Sequence, residues 1–294
     1  MQGDCHAILR LRRKPSQRLR RLVQLFFFIL IAVISISHTL AESGIEIPLL
    51  QGASLHAVCP FGGVVSLYRY ITTGTFVQKI HDSSFYLMII VMATAVVAGP
   101  VFCAWVCPFG TFQAWLGYLG RAIFKKRYNR FIPKRLDGIL RYLRYAVLVW
   151  VLVMTAISAK LVFADYDPYF ALFNLWTSEV AIGAYIALGV VVVSSLFVER
   201  PFCKYACPYG ALLGVTNLFR IFKIRRNEHT CIDCRKCDHI CPMNITVSKL
   251  KTVKDHQCIS CMACSSEVAC PVAKTVELRV GQYEIEPMHK EKVK

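Results

Sequence analysis

Four long apolar runs alternate with strongly basic stretches along this chain. Residues 22–41, 84–102, 145–164 and 180–198 each match the roughly 20 residues that cross a hydrocarbon core of about 30 Å. The first, second and fourth hold no Asp, Glu, Lys or Arg. The third holds only Lys160, close enough to one end for its ammonium to snorkel to the headgroups. The pattern predicts four transmembrane helices, with a cysteine-rich tail after the last.

Composition agrees with a lipid environment. The chain of 294 residues is 55% apolar with a mean hydropathy of +0.46, which a soluble protein of this size rarely shows. The formal charge of +17 is unevenly spread. Arg10, Arg12, Arg13, Lys14, Arg18, Arg20 and Arg21 precede the first run. Arg121, Lys125, Lys126, Arg127, Arg130, Lys134, Arg135, Arg141 and Arg144 separate the second from the third. The other two connections carry only Arg69 and Lys79, and Lys160. Basic residues gather on the cytoplasmic side, so both termini are expected there. Because these charges flank apolar runs instead of forming one solvated face, nucleic-acid binding is not expected. The first run exceeds a signal peptide's usual apolar core of about 7–15 residues and reads as an uncleaved anchor, although Thr39-Leu40-Ala41 loosely resembles a cleavage site.

A motif repeats within the apolar region. Phe102-Cys103-Ala104-Trp105-Val106-Cys107-Pro108-Phe109-Gly110 returns as Phe202-Cys203-Lys204-Tyr205-Ala206-Cys207-Pro208-Tyr209-Gly210. Both copies stand at the expected cytoplasmic end of a run. Amphipathic stretches, 111–124 and 211–224, follow them and are expected along the membrane surface. The region reads as two repeated hairpins of two spans each, related as parallel repeats are. Cys-x3-Cys on a helix sets two sulfurs on one face. If the hairpins pack together, Cys103, Cys107, Cys203 and Cys207 converge. They would then form a further iron–sulfur or soft-metal centre, a pair of redox-active dithiols, or only close helix packing.

The tail holds two ferredoxin-like runs. Cys231, Cys234, Cys237 and Cys241 precede Pro242; Cys258, Cys261, Cys264 and Cys270 precede Pro271. The first is Cys-x2-Cys-x2-Cys-x3-Cys-Pro, the bacterial two-cluster spacing in which each fourth cysteine ligates the other run's cluster. That rule groups Cys231, Cys234, Cys237 and Cys270 on one [4Fe–4S] cluster, and Cys258, Cys261, Cys264 and Cys241 on a second. The second run has five residues rather than three before Cys270, a local bulge. Zinc prefers paired cysteines in a tetrahedral set, and disulfides need an oxidising compartment. The organisation expected is a basic cytoplasmic tail (1–21), a four-span membrane module (22–224), a small α+β two-cluster ferredoxin-like domain (225–280) and a C-terminal tail (281–294).

Taken together, the two Cys-x3-Cys-Pro motifs, four spans and two-cluster tail resemble the NapH/MauN type of ferredoxin-like membrane quinol dehydrogenase subunit. They are also similar to the polyferredoxin half of NosR-type proteins. The resemblance covers roughly residues 18–280. It implies a multi-pass protein of the bacterial cytoplasmic membrane, relaying electrons between quinone or an exported redox protein and clusters on the cytoplasmic side. It leaves open quinol dehydrogenase activity. A reductase that matures or regulates an exported metalloenzyme is the alternative.

Other residues carry thinner signals. His38 and His81 are candidates for axial haem ligation or for plain interfacial hydrogen bonding. Cys59, in an outer connection with His56, is either an outer-face redox thiol or an inert one. Cys5 sits in the basic leader and carries no further reading. Asp165 and Asp167 are candidate proton acceptors for quinol oxidation, or Asp167-Pro168 simply caps a short helix. Arg235, Lys236, Lys249, Lys251 and Lys254 would steer an acidic cytoplasmic ferredoxin or flavodoxin, or bind the anionic leaflet.

Overall fold

The computed structural model describes residues 15–42, 62–64, 67–68, 70, 74, 82–158, 162–175, 177, 180–272 and 274–280. Cys5, His56, Cys59 and His81 lie outside them, as does the side chain of His38. Helix α1 spans Pro15–Glu42 and contains one stretch long and apolar enough to cross a membrane, Gln17–Ser37. A second such stretch, Lys134–Ser158, comprises α5 (Lys134–Leu140) and α6 (Leu143–Ser158). Two apolar helices are shorter: α2 (Asp82–Ala98) and α8 (Ile182–Ser195).

The runs at 84–102 and 180–198 were expected as unbroken helices, and both are cut short. Gly99 adopts φ +83° after α2, and Pro100 follows, lacking the N–H that continuation needs. Near the end of the fourth run Arg200 adopts φ 52° and Pro201 opens the next helix. Hydropathy alone does not register the first of these breaks, which lies inside its run. The third run also ends early, with α6 stopping at Ser158 and a 3-10 turn at Val162–Tyr166.

These helices turn large aliphatic side chains outward. Ile29 and Ile36 on α1, Ile89 and Ile90 on α2, Val153 and Ile157 on α6, and Ile186 and Val190 on α8 are all exposed. Their inward faces are apolar too, with Ile31, Val91, Ala95, Ala184 and Leu188 buried. Helices apolar on both faces suit hydrocarbon as the surrounding solvent.

After each break the repeated motif builds the same local geometry. A short helix, α3 (Val101–Trp105) or α9 (Pro201–Tyr205), ends in a turn. There two consecutive backbone N–H groups share one carbonyl: Val106 and Cys107 on Phe102, Ala206 and Cys207 on Phe202. Cys107 then caps α4 (Pro108–Phe124), and Cys207 caps α10 (Pro208–Val215). The two cysteines of a motif therefore do not sit on one continuous helix face, as their spacing suggested. Proline four residues after the carbonyl of Ala104 or Lys204 cannot join that helix, so the chain restarts there.

Downstream the copies diverge. Helix α4 was expected to lie along the membrane surface, yet it packs against both α1 and α8. Gly117 and Gly120 permit this: a Cβ at Gly120 would collide with the Leu196 carbonyl and the Tyr128 ring. In the second copy no single helix covers 211–224. Helix α10 stops at Val215, a 3-10 turn follows at Thr216–Leu218, and strand β1 (Lys223–Arg226) begins. Short helix α7 (Pro168–Phe173) starts with the carboxylate of Asp167 accepting from the Tyr169 N–H at 3.0 Å, the capping role expected of Asp167-Pro168.

The tail is a small α+β unit. Strands β2 (Thr252–Val253), β1 and β3 (Val276–Arg279) form an antiparallel sheet in that order, with Ile224 opposite Val253 and Leu278. Ile224, Met243, Ile245, Val247, Val253 and Val276 fill its core beside helix α11 (Lys236–His239). The unit is fastened to the end of α2. Ile221 and Phe222 donate backbone N–H bonds to Val96 and Val97, and Ser260 Oγ donates to the Ala98 carbonyl.

Candidate metal centres

The tail folds around two cysteine-lined cavities. One is lined by Cys241, Cys258, Cys261 and Cys264 among Ile224, Met243, Ile245 and Val253. The other is lined by Cys231, Cys234, Cys237 and Cys270 with Thr230, Ala269 and Val276. Each fourth cysteine has crossed to the other run's cavity. The crossing follows from the sheet: β1 and β3 pair along their lengths, which brings the end of the second run beside the start of the first.

Neither cavity is lined by a carboxylate or a histidine. Thiols are the soft donors in both, set in aliphatic walls in the first and among Arg226, Arg235 and hydroxyl side chains in the second. Such a set is suited to iron–sulfur clusters and unsuited to hard cations. Among the described residues, no three Cys, His, Asp or Glu close on a single metal ion. Burial pushes the Cys237 thiol up to about 11, with the Asp238 carboxylate adding to the shift. Burial likewise raises Cys258, and raises Cys241 and Cys264 further, with neighbouring cysteines contributing. Without a metal these four thiols stay protonated at neutral pH, and ligation would release those protons.

The cavities differ in setting. Cys258, Cys261 and Cys264 are buried, and their loop lies against the helical part. Gln17 donates to the Cys261 and Met262 carbonyls at 3.2 and 3.0 Å, and Arg20 donates to that of Cys261 at 3.0 Å. Trp105 Nε1 and Asn217 Nδ2 reach the Ser260 and Cys258 carbonyls at 3.3 and 2.7 Å. The other cavity is at the far side, where Cys234 and Ile232 are exposed.

The membrane cysteines do converge. Cys103 and Cys207 pack into one core patch with Val91, Ala95, Tyr209 and Leu213, while Cys103 and Cys203 both border the tail core. Every pair among Cys103, Cys107, Cys203 and Cys207 is close enough to interact electrostatically. Gln113, wholly buried, donates to Cys203 Sγ at 3.4 Å and accepts from the Phe202 N–H at 3.1 Å. Arg200 Nη1 donates to the Cys103 carbonyl at 2.8 Å. Neither Gln113 nor Arg200 stood out in the sequence; only its place three residues before Cys203 singles out Arg200. Of the tail basics, Arg235 lines the outer cavity, whereas Lys251 pairs with Glu228 at 2.9 Å.

Cysteine-lined cavities in an α+β tail, fixed to helices long and apolar enough for a bilayer, define a ferredoxin-type iron–sulfur membrane protein. The comparisons agree. A family model described as a 4Fe–4S binding domain matches residues 83–127 and 180–227, which contain both copies of the membrane motif. YccM of Escherichia coli, named for electron transport, is 32% identical over 223 residues, covering 74% of this chain and 61% of YccM. The uncharacterized protein MJ0750 of Methanocaldococcus jannaschii is 30% identical over 213 residues, covering 70% of this chain and 81% of its own. The ferredoxin-type protein NapH of Haemophilus influenzae is 29% identical over 187 residues, covering 60% and 62%. No solved structure matches. The chain belongs to the family of NapH- and NosR-like ferredoxin-type electron-transport proteins.

Proposed function

We propose that this protein is a four-span relay of the bacterial cytoplasmic membrane, exchanging electrons between the quinone pool or an exported redox protein and the cytoplasmic side. In this reading its helical part is two repeated hairpins (22–224) and its ferredoxin-like tail (225–280) is cytoplasmic. Cys231, Cys234, Cys237 and Cys270 hold one [4Fe–4S] cluster; Cys258, Cys261, Cys264 and Cys241 hold a second. Cys103, Cys107, Cys203 and Cys207 hold a third iron–sulfur centre. When bound, such clusters each take up and release one electron without rearranging bonds. The protein's own residues supply the rest: soft thiolate ligands, a dry aliphatic wall, and hydrogen bonds such as Gln113 to Cys203 Sγ that tune the sulfur.

The observation that carries the reading is the pair of cavities, each lined by four cysteines with one borrowed from the opposite run. The outward-facing aliphatic faces of α1, α2, α6 and α8 support four spans. Short, tilted or interrupted helices are accommodated where other helices cover the break.

Anaerobic purification with iron and acid-labile sulfide counts tests it. About twelve irons are expected in the wild type, at four per cubane cluster, and about eight in Cys103→Ser/Cys203→Ser. A wild type holding eight or fewer removes the third centre, and one without inorganic sulfide removes the relay. Quinone or quinol analogues should change the cluster absorbance in membranes. The maturation-reductase reading requires no such response, and predicts that Cys59→Ser abolishes outward delivery instead.

A further inference from the structure

Three buried cations stand beside the cysteine sites without a carboxylate. Arg144, Arg200 and Arg220 are 2%, 3% and 0% exposed, and among the described residues no Asp or Glu forms an ion pair with any of them. Glu199, the neighbour of Arg200, is engaged by Arg121 at 2.8 Å. A buried guanidinium without an opposite charge is strongly unfavourable. The fold nevertheless makes room for each against a glycine. A Cβ at Gly214 would meet Arg144 Nη2 at 2.6 Å, one at Gly110 would meet Arg200 Nη1 at 3.2 Å, and one at Gly99 would meet Arg220 Nη1 at 2.6 Å.

Arg220 reaches a sulfur directly, and the other two are held by backbone beside the cysteines. Arg220 Nη1 lies 3.9 Å from Cys258 Sγ, held there by Ser260 Oγ at 2.7 Å and the Val253 carbonyl at 2.9 Å. Arg200 Nη1 donates to the Cys103 carbonyl at 2.8 Å, and Arg144 Nη2 donates to the His256 carbonyl at 2.7 Å, two residues before Cys258; both charges are near enough to Cys103 and Cys203 to be felt there. The outer cavity has the opposite character. Its Arg226 is shared by Glu228 at 3.5 Å and Asp233 at 4.0 Å. Asp233 Oδ1 is 3.7 Å from Cys231 Sγ, and Asp238 Oδ1 is 3.7 Å from Cys237 Sγ. Arg235 and Asp233 there are both exposed, so solvent weakens each, and the partly buried Asp238 is the carboxylate least screened.

Adding an electron to a thiolate-ligated cluster adds negative charge. A fixed, desolvated cation favours the reduced form and a carboxylate opposes it, more strongly where water is excluded. Burial alone would make the inner sites harder to reduce; the unpaired arginines oppose that penalty. We propose that Arg144, Arg200 and Arg220 are the counter-charges of the two inner centres and set the direction of flow. Electrons enter at the Cys231/Cys270 site, pass the Cys258/Cys241 site and reach the membrane cysteines. The inference rests on clusters occupying these sites as proposed above. A soluble one-electron carrier of the iron–sulfur or flavin class is oxidised by one electron at the exposed Ile232–Cys234 face. Two such transfers, with two protons from water, reduce one membrane quinone to quinol.

The test is a redox titration of the full-length protein followed by EPR, with iron counted in every sample. The centre shifted by Asp233→Asn should have the lowest midpoint in the wild type, and removing that exposed carboxylate should raise it. Arg220→Met should lower the midpoint of a different centre at unchanged iron content, and Arg220→Lys should restore most of it. Should Arg220→Met lose its iron, Arg220→Lys and Asp233→Asn carry the comparison. An outer centre with the highest midpoint, or midpoints indifferent to Asp233→Asn and to Arg220→Met, overturns the assignment while leaving the clusters in place. Absence of iron from the wild type overturns the cluster reading itself.

Discussion

Asp137 gathers three donors onto one nearly buried carboxylate: Lys204 Nζ at 2.7 Å, Arg141 Nη2 at 2.6 Å and the Tyr205 hydroxyl at 2.5 Å. Lys204 is wholly buried and belongs to the second cysteine motif, while Arg141 also donates to the Met243 carbonyl in the tail at 3.0 Å. One carboxylate thus pins the motif to the tail. Asp137→Asn leaves Lys204 buried without its counter-ion, a loss of about 3 kcal/mol. The temperature at which cluster absorbance bleaches should fall, and Asp137→Asn/Lys204→Met should recover part of the difference. An unchanged bleaching temperature would remove the pin. At this scale the sequence is candid about ligands and silent about tuning. The eight cysteines that line the two tail cavities are legible in their spacing alone. Arg144 reads only as a topology marker, since nothing local reveals that it is buried against the His256 carbonyl at 2.7 Å.

Glycine separates close contact from mere permissiveness among the helices. Gly120 lies where α4 touches the end of α8, whereas Gly189 within α8 has nothing within 4 Å of a built Cβ. Gly120→Ala should cost about 1–3 kcal/mol through overpacking. Gly189→Ala should be neutral or stabilising by up to about 1 kcal/mol, from helix propensity alone. Thermal stability in detergent distinguishes them, and equal effects would show that α4 does not depend on that contact. Apolar periodicity located every long helix here. It overran the end of α2, because a hydropathy window weighs Gly99-Pro100 lightly while the backbone cannot ignore them, and the end of α8 by three apolar residues that form a turn. It also treated the two stretches after the cysteine motifs as equivalents. Tertiary contacts draw Asn217 and Arg220 into the Cys258 loop, so the second copy becomes turn and strand.

Across the whole molecule, the tail is bound to the helical part by bonds from α1, α2, α3 and the segment after α10, all converging on the loop 258–262. On the proposed topology, protease added to right-side-out vesicles should leave the tail intact, and added to inverted vesicles should remove it. Cleavage from the outside would reverse the topology drawn from the basic stretches.

The sequence by itself determined the chemistry and the medium. Cluster ligation constrains cysteine spacing along the chain, and burial in lipid constrains residue type over some twenty positions, so both are written locally. Only the tertiary structure decided which cavity faces the helices, that four membrane cysteines meet, and that three arginines lie buried beside the sulfurs. Those facts depend on segments 40 to 240 residues apart packing together, and no local pattern encodes such a meeting.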